Sequence, residues 1–265
     1  MGVDAVSEED QGVAVETVNG VGWLRFDRPP VNAFTQAMVA AVRGWLSDLM
    51  TDPKVRVIVL ASTNPKYFSA GADLQEFVDI GEEGMRHWGS NCHEIARLLR
   101  RSPKPLLAAI NSTAVGGGLE MTLHCDLRFA GQGARLGQPE IKIAFIPPIA
   151  TTQALVRLIG RPRTIRYLYD GRLHEAPVAL EMGLVDEVVP DEALAGHVQA
   201  YAEELAAKPA DALAAIRRTV TLGGGMSFED GLALELETVA KLAGTEDFAE
   251  GVAAFLEKRS PNWRQ

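Results

Sequence analysis

The chain has 265 residues, 47% hydrophobic and 23% charged, the composition of a globular protein long enough to bury a sizeable core. A formal net charge of −9 argues against non-specific binding to nucleic acid or to an anionic membrane surface. With no run of about 18 apolar residues, no segment is expected to span a bilayer. The two cysteines, Cys92 and Cys125, make no disulfide framework and are expected to be buried thiols.

Residues 1–10 are acidic and lack the apolar core of a secretory signal, so a loosely ordered start to a cytoplasmic protein is expected. Val13 to Val18 alternates, Asn19-Gly20 is a hairpin turn, and Val21 to Phe26 returns as a second strand. Thr35 then caps a helix reaching about Met50, with apolar residues at Met38, Val42, Leu46 and Leu49. Val55 to Leu60 reads as a buried strand, and Asp73 can cap the segment that follows the next turn. Gly81 to Gly84 reads as a loop before a long helix from Met85 to Arg101.

The apolar run Pro105 to Ile110 is a strand leading into Gly116-Gly117-Gly118, with a helix beginning at Leu119-Glu120. Short strands are expected at Asp126–Ala130 and Ala134–Gly137. Helices follow at Thr151–Ile159, Arg163–Tyr169 and Ala176–Met182, the last with Gly183 as C-cap. A strand is expected at Val185–Val189. From Asp191 onward the pattern is helical, over about 191–207, 209–221, 227–243 and 246–257. The organisation is a β/α core over 11–190 and a helical region over 191–265. In that region the apolar positions Leu232, Leu236 and Val239 need a partner surface, on the same chain or on another subunit.

Two stretches have the same physical character. Phe68-Ser69-Ala70-Gly71-Ala72-Asp73 and Ala114-Val115-Gly116-Gly117-Gly118-Leu119-Glu120 each follow a strand, open a helix and consist of small residues. Small residues let a ligand approach exposed N–H groups, and a pair of such groups suits a developing oxyanion. Glu120 follows its glycines within one turn. Glu140 would complete an acid/base pair if the fold brings it close. The five histidines are scattered and read as structural, and His124-Cys125 has no partners at metal-ligand spacing.

Together these pieces resemble the enoyl-CoA hydratase/isomerase family, the crotonase superfamily. The resemblance is carried in family order by Phe68 to Leu74, Gly116 to Glu120, Cys125-Asp126, Gly137-Gln138-Pro139-Glu140-Ile141 and Phe255-Leu256-Glu257-Lys258-Arg259. It implies an α/β fold, a crotonase-like spiral of ββα units with a helical C-terminal region, commonly assembled as a trimer or dimer of trimers. It further implies that Ala70 and Gly117 supply an N–H pair for a thioester oxygen. Gly71, Ala72, Asp73 and Leu74 would lie along the CoA-binding turn. Glu120 and Glu140 would share a water as base and acid, and Phe255 and Lys258 would approach CoA, often from a neighbouring subunit. The implied substrate is an acyl-CoA thioester, with no metal or redox cofactor.

One departure stands out. Where hydratases of this family commonly read Pro-Gly-Ala-Gly-Gly-Thr-Gln, this chain has Pro147-Pro148-Ile149-Ala150-Thr151-Thr152-Gln153. Pro148 falls where a glycine N–H would help hold the water, and proline has none. The expected activity is hydration of an enoyl-CoA. The alternatives are Δ3,Δ2-enoyl-CoA isomerisation, decarboxylation or thioester hydrolysis on the same scaffold, and a non-catalytic CoA-ester or RNA binder. The acidic balance argues against RNA.

Overall fold

A computed structural model describes residues 12–264, so the expectation of a loosely ordered 1–10 segment lies outside the described residues. In chain order the elements are β1 (Val13–Val18), β2 (Val21–Phe26), β3 (Ala33–Phe34), α1 (Gln36–Thr51), β4 (Val57–Ser62), β5 (Tyr67–Ser69) and β6 (Gly71–Ala72). A 3-10 turn at Leu74–Phe77 precedes α2 (Gly81–Arg101), β7 (Leu106–Ile110), β8 (Thr113–Val115), α3 (Gly116–Thr122), β9 (Leu127–Gly131) and β10 (Arg135–Gly137). A second 3-10 turn at Glu140–Ile143 leads to α4 (Thr151–Ile159), α5 (Arg161–Asp170), β11 (Leu173–Glu175), α6 (Ala176–Met182) and β12 (Glu187–Val189). The remainder is helical: α7 (Leu194–Ala206), α8 (Ala210–Arg218), α9 (Phe228–Ala243) and α10 (Glu246–Glu257).

The strands form a six-stranded sheet in the order β1-β2-β4-β7-β9-β12, a four-stranded sheet β11-β10-β8-β5, and the small pair β3-β6. Successive units each give one strand to the large sheet and the next to the second sheet: β4 then β5, β7 then β8, β9 then β10. This is the expected α/β winding of repeated ββα units. Period-two alternation explains why the strands of the large sheet read as unbroken apolar runs. Leu24, Phe26, Ile58, Leu60, Leu106 and Ala108 face the main core with α1 and α2. Val21, Trp23, Val57, Val59, Leu107 and Ala109 face the opposite way and are covered by Val198 and Ala202 of α7. Each fully buried valine, leucine, isoleucine or phenylalanine among them contributes about 1.5–3 kcal/mol.

The local readings hold at many boundaries. Asn19 and Gly20 both have positive φ in the β1–β2 turn, and Thr35 accepts the Met38 N–H at the start of α1. Asp73 caps its 3-10 turn by accepting the Gln75 N–H. Gly183 ends α6 in the left-handed region. Two expectations are corrected. Gly81–Gly84 is the first turn of α2 rather than a loop: Glu82 and Glu83 favour the positive end of the helix dipole, and Ile80 packs over Gly84. The glycine triplet is likewise the first turn of α3, and the strand preceding it is β8, too short to be seen as a separate apolar run.

Candidate active site

Strands β5, β8 and β10 are parallel neighbours, with Ser69 and Leu136 both registered on Ala114 and Gly137 on Val115. Their C-terminal ends therefore open on one edge of the sheet, the usual place for a ligand in parallel α/β structure. Each end runs directly into a singled-out segment: β5 into the turn at Ala70–Asp73, β8 into the glycines of α3, and β10 into Gln138-Pro139-Glu140.

The segments touch. Gly116 has φ +53, and a Cβ placed on it would lie 2.9 Å from Gly71 Cα and 3.1 Å from Glu140 Oε1. A Cβ on Gly118 would lie 2.2 Å from Ser69 Cβ. Only glycine at these two positions lets the turn, the helix entry and the carboxyl group meet. Ser69 Oγ donates to Asn32 O at 2.9 Å and accepts the Gly71 N–H at 3.0 Å. Asn32 is buried, and its amide nitrogen reaches Phe26 O, Ser62 Oγ, Tyr67 O and Phe68 O, stapling the base of the turn.

The N–H groups at this edge differ from expectation in one member. The Ala70 N–H donates to Val31 O at 2.9 Å, so it is already engaged. In the next residues β6 pairs in parallel with β3, and the Asp73 N–H donates to Phe34 O at 2.8 Å. Alternate N–H groups of a strand point to opposite sides, so the Ala72 N–H faces away from β3. Sequence spacing cannot make this distinction, because it depends on which side of a two-residue strand is paired. Gly117 lies in the first turn of α3, where an N–H has no intrahelical acceptor. Ile149 Cδ1 lies 3.3 Å from where a Cβ on Gly117 would be.

The two carboxyl groups are held in unlike ways. Glu120 is fully buried. Its Oε2 accepts the Ile149 N–H at 2.6 Å and the Thr151 hydroxyl at 2.7 Å, while Oε1 is buried without a protein partner. Burial, and secondarily the Glu140 charge, push its pKa up to about 8. Glu140 is half-buried at the start of its 3-10 turn, and burial pushes its pKa up to about 7. The Gln138 amide, in the orientation that satisfies both of its ends, donates to Glu140 Oε1 and Oε2 at 3.1 Å.

Other expected positions fall as follows. Asp73 pairs with Arg28 at 3.1 Å, and Leu74 is exposed at the start of the 3-10 turn. Pro148 is half-buried and directly precedes Ile149, whose N–H goes to Glu120. Phe255 is 83% exposed and Lys258 is exposed at the end of α10, a helix that packs on α9. A cavity of about 510 Å³ lined by Arg100, His124, Arg157 and Arg217 is a different place, bordered by neither glutamate. Among the described residues no group of three or more His, Cys, Asp or Glu is arranged to hold a metal. Cys92 and Cys125 are free and buried, and burial raises both thiols above their ordinary range.

Asn32, Gln138, Thr151 and Ala72 were not singled out for these contacts from sequence. Gln138 sits inside a motif already noted, and Thr151 marks a departure from the commonest family tract. Asn32 carries no local signal, since its partners are distant in the chain.

Residues 16–265 match the family model described as enoyl-CoA hydratase/isomerase. The chain is 33% identical over 257 residues to a protein of Bacillus subtilis (strain 168) described as a probable enoyl-CoA hydratase, with 96% of each chain covered. It is 34% identical over 253 residues to the (E)-benzylidenesuccinyl-CoA hydratase of Thauera aromatica, covering 95% of this chain and 98% of that one. Its fold matches the crystal structure of an enoyl-CoA hydratase from Bacillus anthracis with a TM-score of 0.90 at 33% identity, covering 96% of this chain and 99% of the other.

Proposed function

The chain belongs to the enoyl-CoA hydratase/isomerase family, and from that premise we propose that it adds water across the 2,3 double bond of an enoyl-CoA thioester. The observation that carries the reading is the pair of proton-retaining carboxyl groups, Glu120 and Glu140, at the sheet edge where two turns of small residues meet. One ionised carboxylate takes a proton from water as its oxygen bonds to C3. The other, still protonated, delivers its proton to C2. Charge that builds on the thioester oxygen is met by the N–H groups of Ala72 and Gly117, each worth about 2.7–4 kcal/mol if typical of such donors. Ala72 replaces Ala70 in this role because the Ala70 N–H is engaged by Val31.

The turn Gly71 to Leu74 is the proposed path of the CoA moiety. Phe255 and Lys258 are assigned to CoA contact from a neighbouring subunit of a homotrimer or dimer of trimers, which accounts for their exposure here. The same reading carries a cytoplasmic setting, and its chemistry is performed by amides and carboxyl groups without a metal or redox cofactor.

Purified protein incubated with linear, branched, aromatic and cyclic enoyl-CoA esters should convert at least one to a product heavier by one water. A screen in which every ester is returned unchanged, or only its double bond moves, removes the hydratase reading. Glu120→Ala and Glu140→Ala, tested separately, should each abolish hydration; an isomerase would need only one of them.

A further inference from the structure

Glu120 has two oxygens in unlike surroundings, and the difference has a chemical consequence. Oε2 already accepts two hydrogen bonds, from the Ile149 N–H and from the Thr151 hydroxyl. The Ile149 N–H can only donate, and the Thr151 hydroxyl donates as arranged here, so the protonated form that keeps both bonds carries its proton on Oε1, the oxygen without a protein partner. Thr151 is fully buried at the first position of α4, and Ala150 before it is in the left-handed region, φ 54. That entry turns the N–H at 149 and the hydroxyl at 151 toward the same carboxyl oxygen.

Ile149 is braced from its other side. Its carbonyl oxygen lies 2.8 Å from His124 Nε2, and a ring nitrogen facing a carbonyl must be the donor. Burial holds the His124 pKa down to about 4, so the ring is neutral with its hydrogen on Nε2. His124 follows α3, the helix that carries Glu120. The brace thus runs from the end of α3 through Ile149 and back to the carboxyl group on α3.

Building on the hydration reading, we propose that Thr151 is a positioning residue: with the N–H of Ile149, a residue whose carbonyl His124 braces, it ties off Oε2 of Glu120 and leaves Oε1 as the sole oxygen that exchanges protons with water and substrate.

The test compares wild type, Thr151→Val and Thr151→Ser across pH, with an enoyl-CoA ester that wild type hydrates. Thr151→Val should lower kcat about 10–100-fold, as expected for one hydrogen bond to a charged group, with KM within about twofold. It should also move the alkaline limb of the profile upward by about one unit, because a bond favouring the ionised form has gone. Thr151→Ser should restore both. An unshifted profile in Thr151→Val, or a serine variant no better than valine, overturns the proposal. An infrared titration of the buried carboxyl band, identified by its loss in Glu120→Gln, reads the same shift without turnover. Should wild type hydrate nothing, the proposed function fails while that titration still decides the clamp. Should Thr151→Val not fold, the serine and alanine variants are compared instead: serine must match wild type in the titration and alanine must depart from it, and any other result overturns the proposal.

Discussion

Two carboxyl groups that hold their protons to about pH 8 and about pH 7 make the strongest residue-scale prediction. Hydration needs one of them ionised and the other protonated. The pair titrates in two steps, so kcat/KM should follow a bell with an acid limb near 7 and an alkaline limb near 8. A flat profile across that range contradicts the acid/base pairing. Glu120→Gln and Glu140→Gln should each cost about 10²–10⁴-fold in kcat. Burial also links Glu120 to stability. Its folded pKa is raised from an ordinary 4.5 to about 8, so between those values the unfolded chain binds fewer protons than the folded one. Stability attributable to this group falls as pH rises, by at most about 1.4 kcal/mol per unit inside that window, and levels off above it. Glu120→Gln should make the decline between pH 5 and pH 8 shallower, read from the denaturant midpoints, with the remaining slope supplied by Glu140, whose pKa is raised in the same direction.

At the scale of elements, the turn after β5 and the entry to α3 form one piece of backbone. Ser69 against Gly118 and Gly71 against Gly116 are contacts that a single methyl group would break. Gly118→Ala should destabilise by about 1–3 kcal/mol through overpacking and lower kcat, because the N–H groups of Ala72 and Gly117 ride on the two backbones that must separate. In a double-mutant cycle with Ser69→Gly the two changes should be coupled by more than about 0.5 kcal/mol; strict additivity would show that the contact does not limit the approach. The character of both turns was legible in the residues, since three glycines in a row before a glutamate have few uses. Which N–H is free was not legible. Ala70 and Ala72 are chemically the same residue, and the choice between them is made by Val31 and by the β3–β6 pairing. The first turn of α2 was misread for a related reason: its glycines look like loop residues until Ile80 is seen packed over Gly84.

For the whole molecule, the C-terminal helices leave an apolar face uncovered within one chain. Leu236 is 70% exposed, and Phe228, Phe255 and Leu256 are exposed as well. Such a face on α9 and α10 is costly to leave in water and fits the assembly proposed above. Sedimentation should give a trimer or hexamer rather than the 28.6 kDa monomer. Leu236→Glu combined with Phe255→Glu should dissociate it and raise KM for the CoA ester more than it lowers kcat. A wild-type monomer with full activity would refute both the assembly and the shared CoA contact.

Local chemistry in the sequence was enough to determine the strands of the large sheet, most of the helices, the caps at Thr35, Asp73 and Gly183 and the two small-residue turns, while the two- and three-residue strands β3, β5, β6, β8 and β11 escaped it and the pairing of Glu120 with Glu140 came from the family resemblance. Periodicity and turn propensity act over a few residues, so they survive reading in one dimension. Tertiary structure alone decided that β5, β8 and β10 lie side by side, that the Ala70 N–H is taken by Val31, and that Thr151 and Ile149 grip one oxygen of Glu120. Those outcomes depend on strand pairing and burial between residues far apart in the chain, where no local preference distinguishes one partner from another.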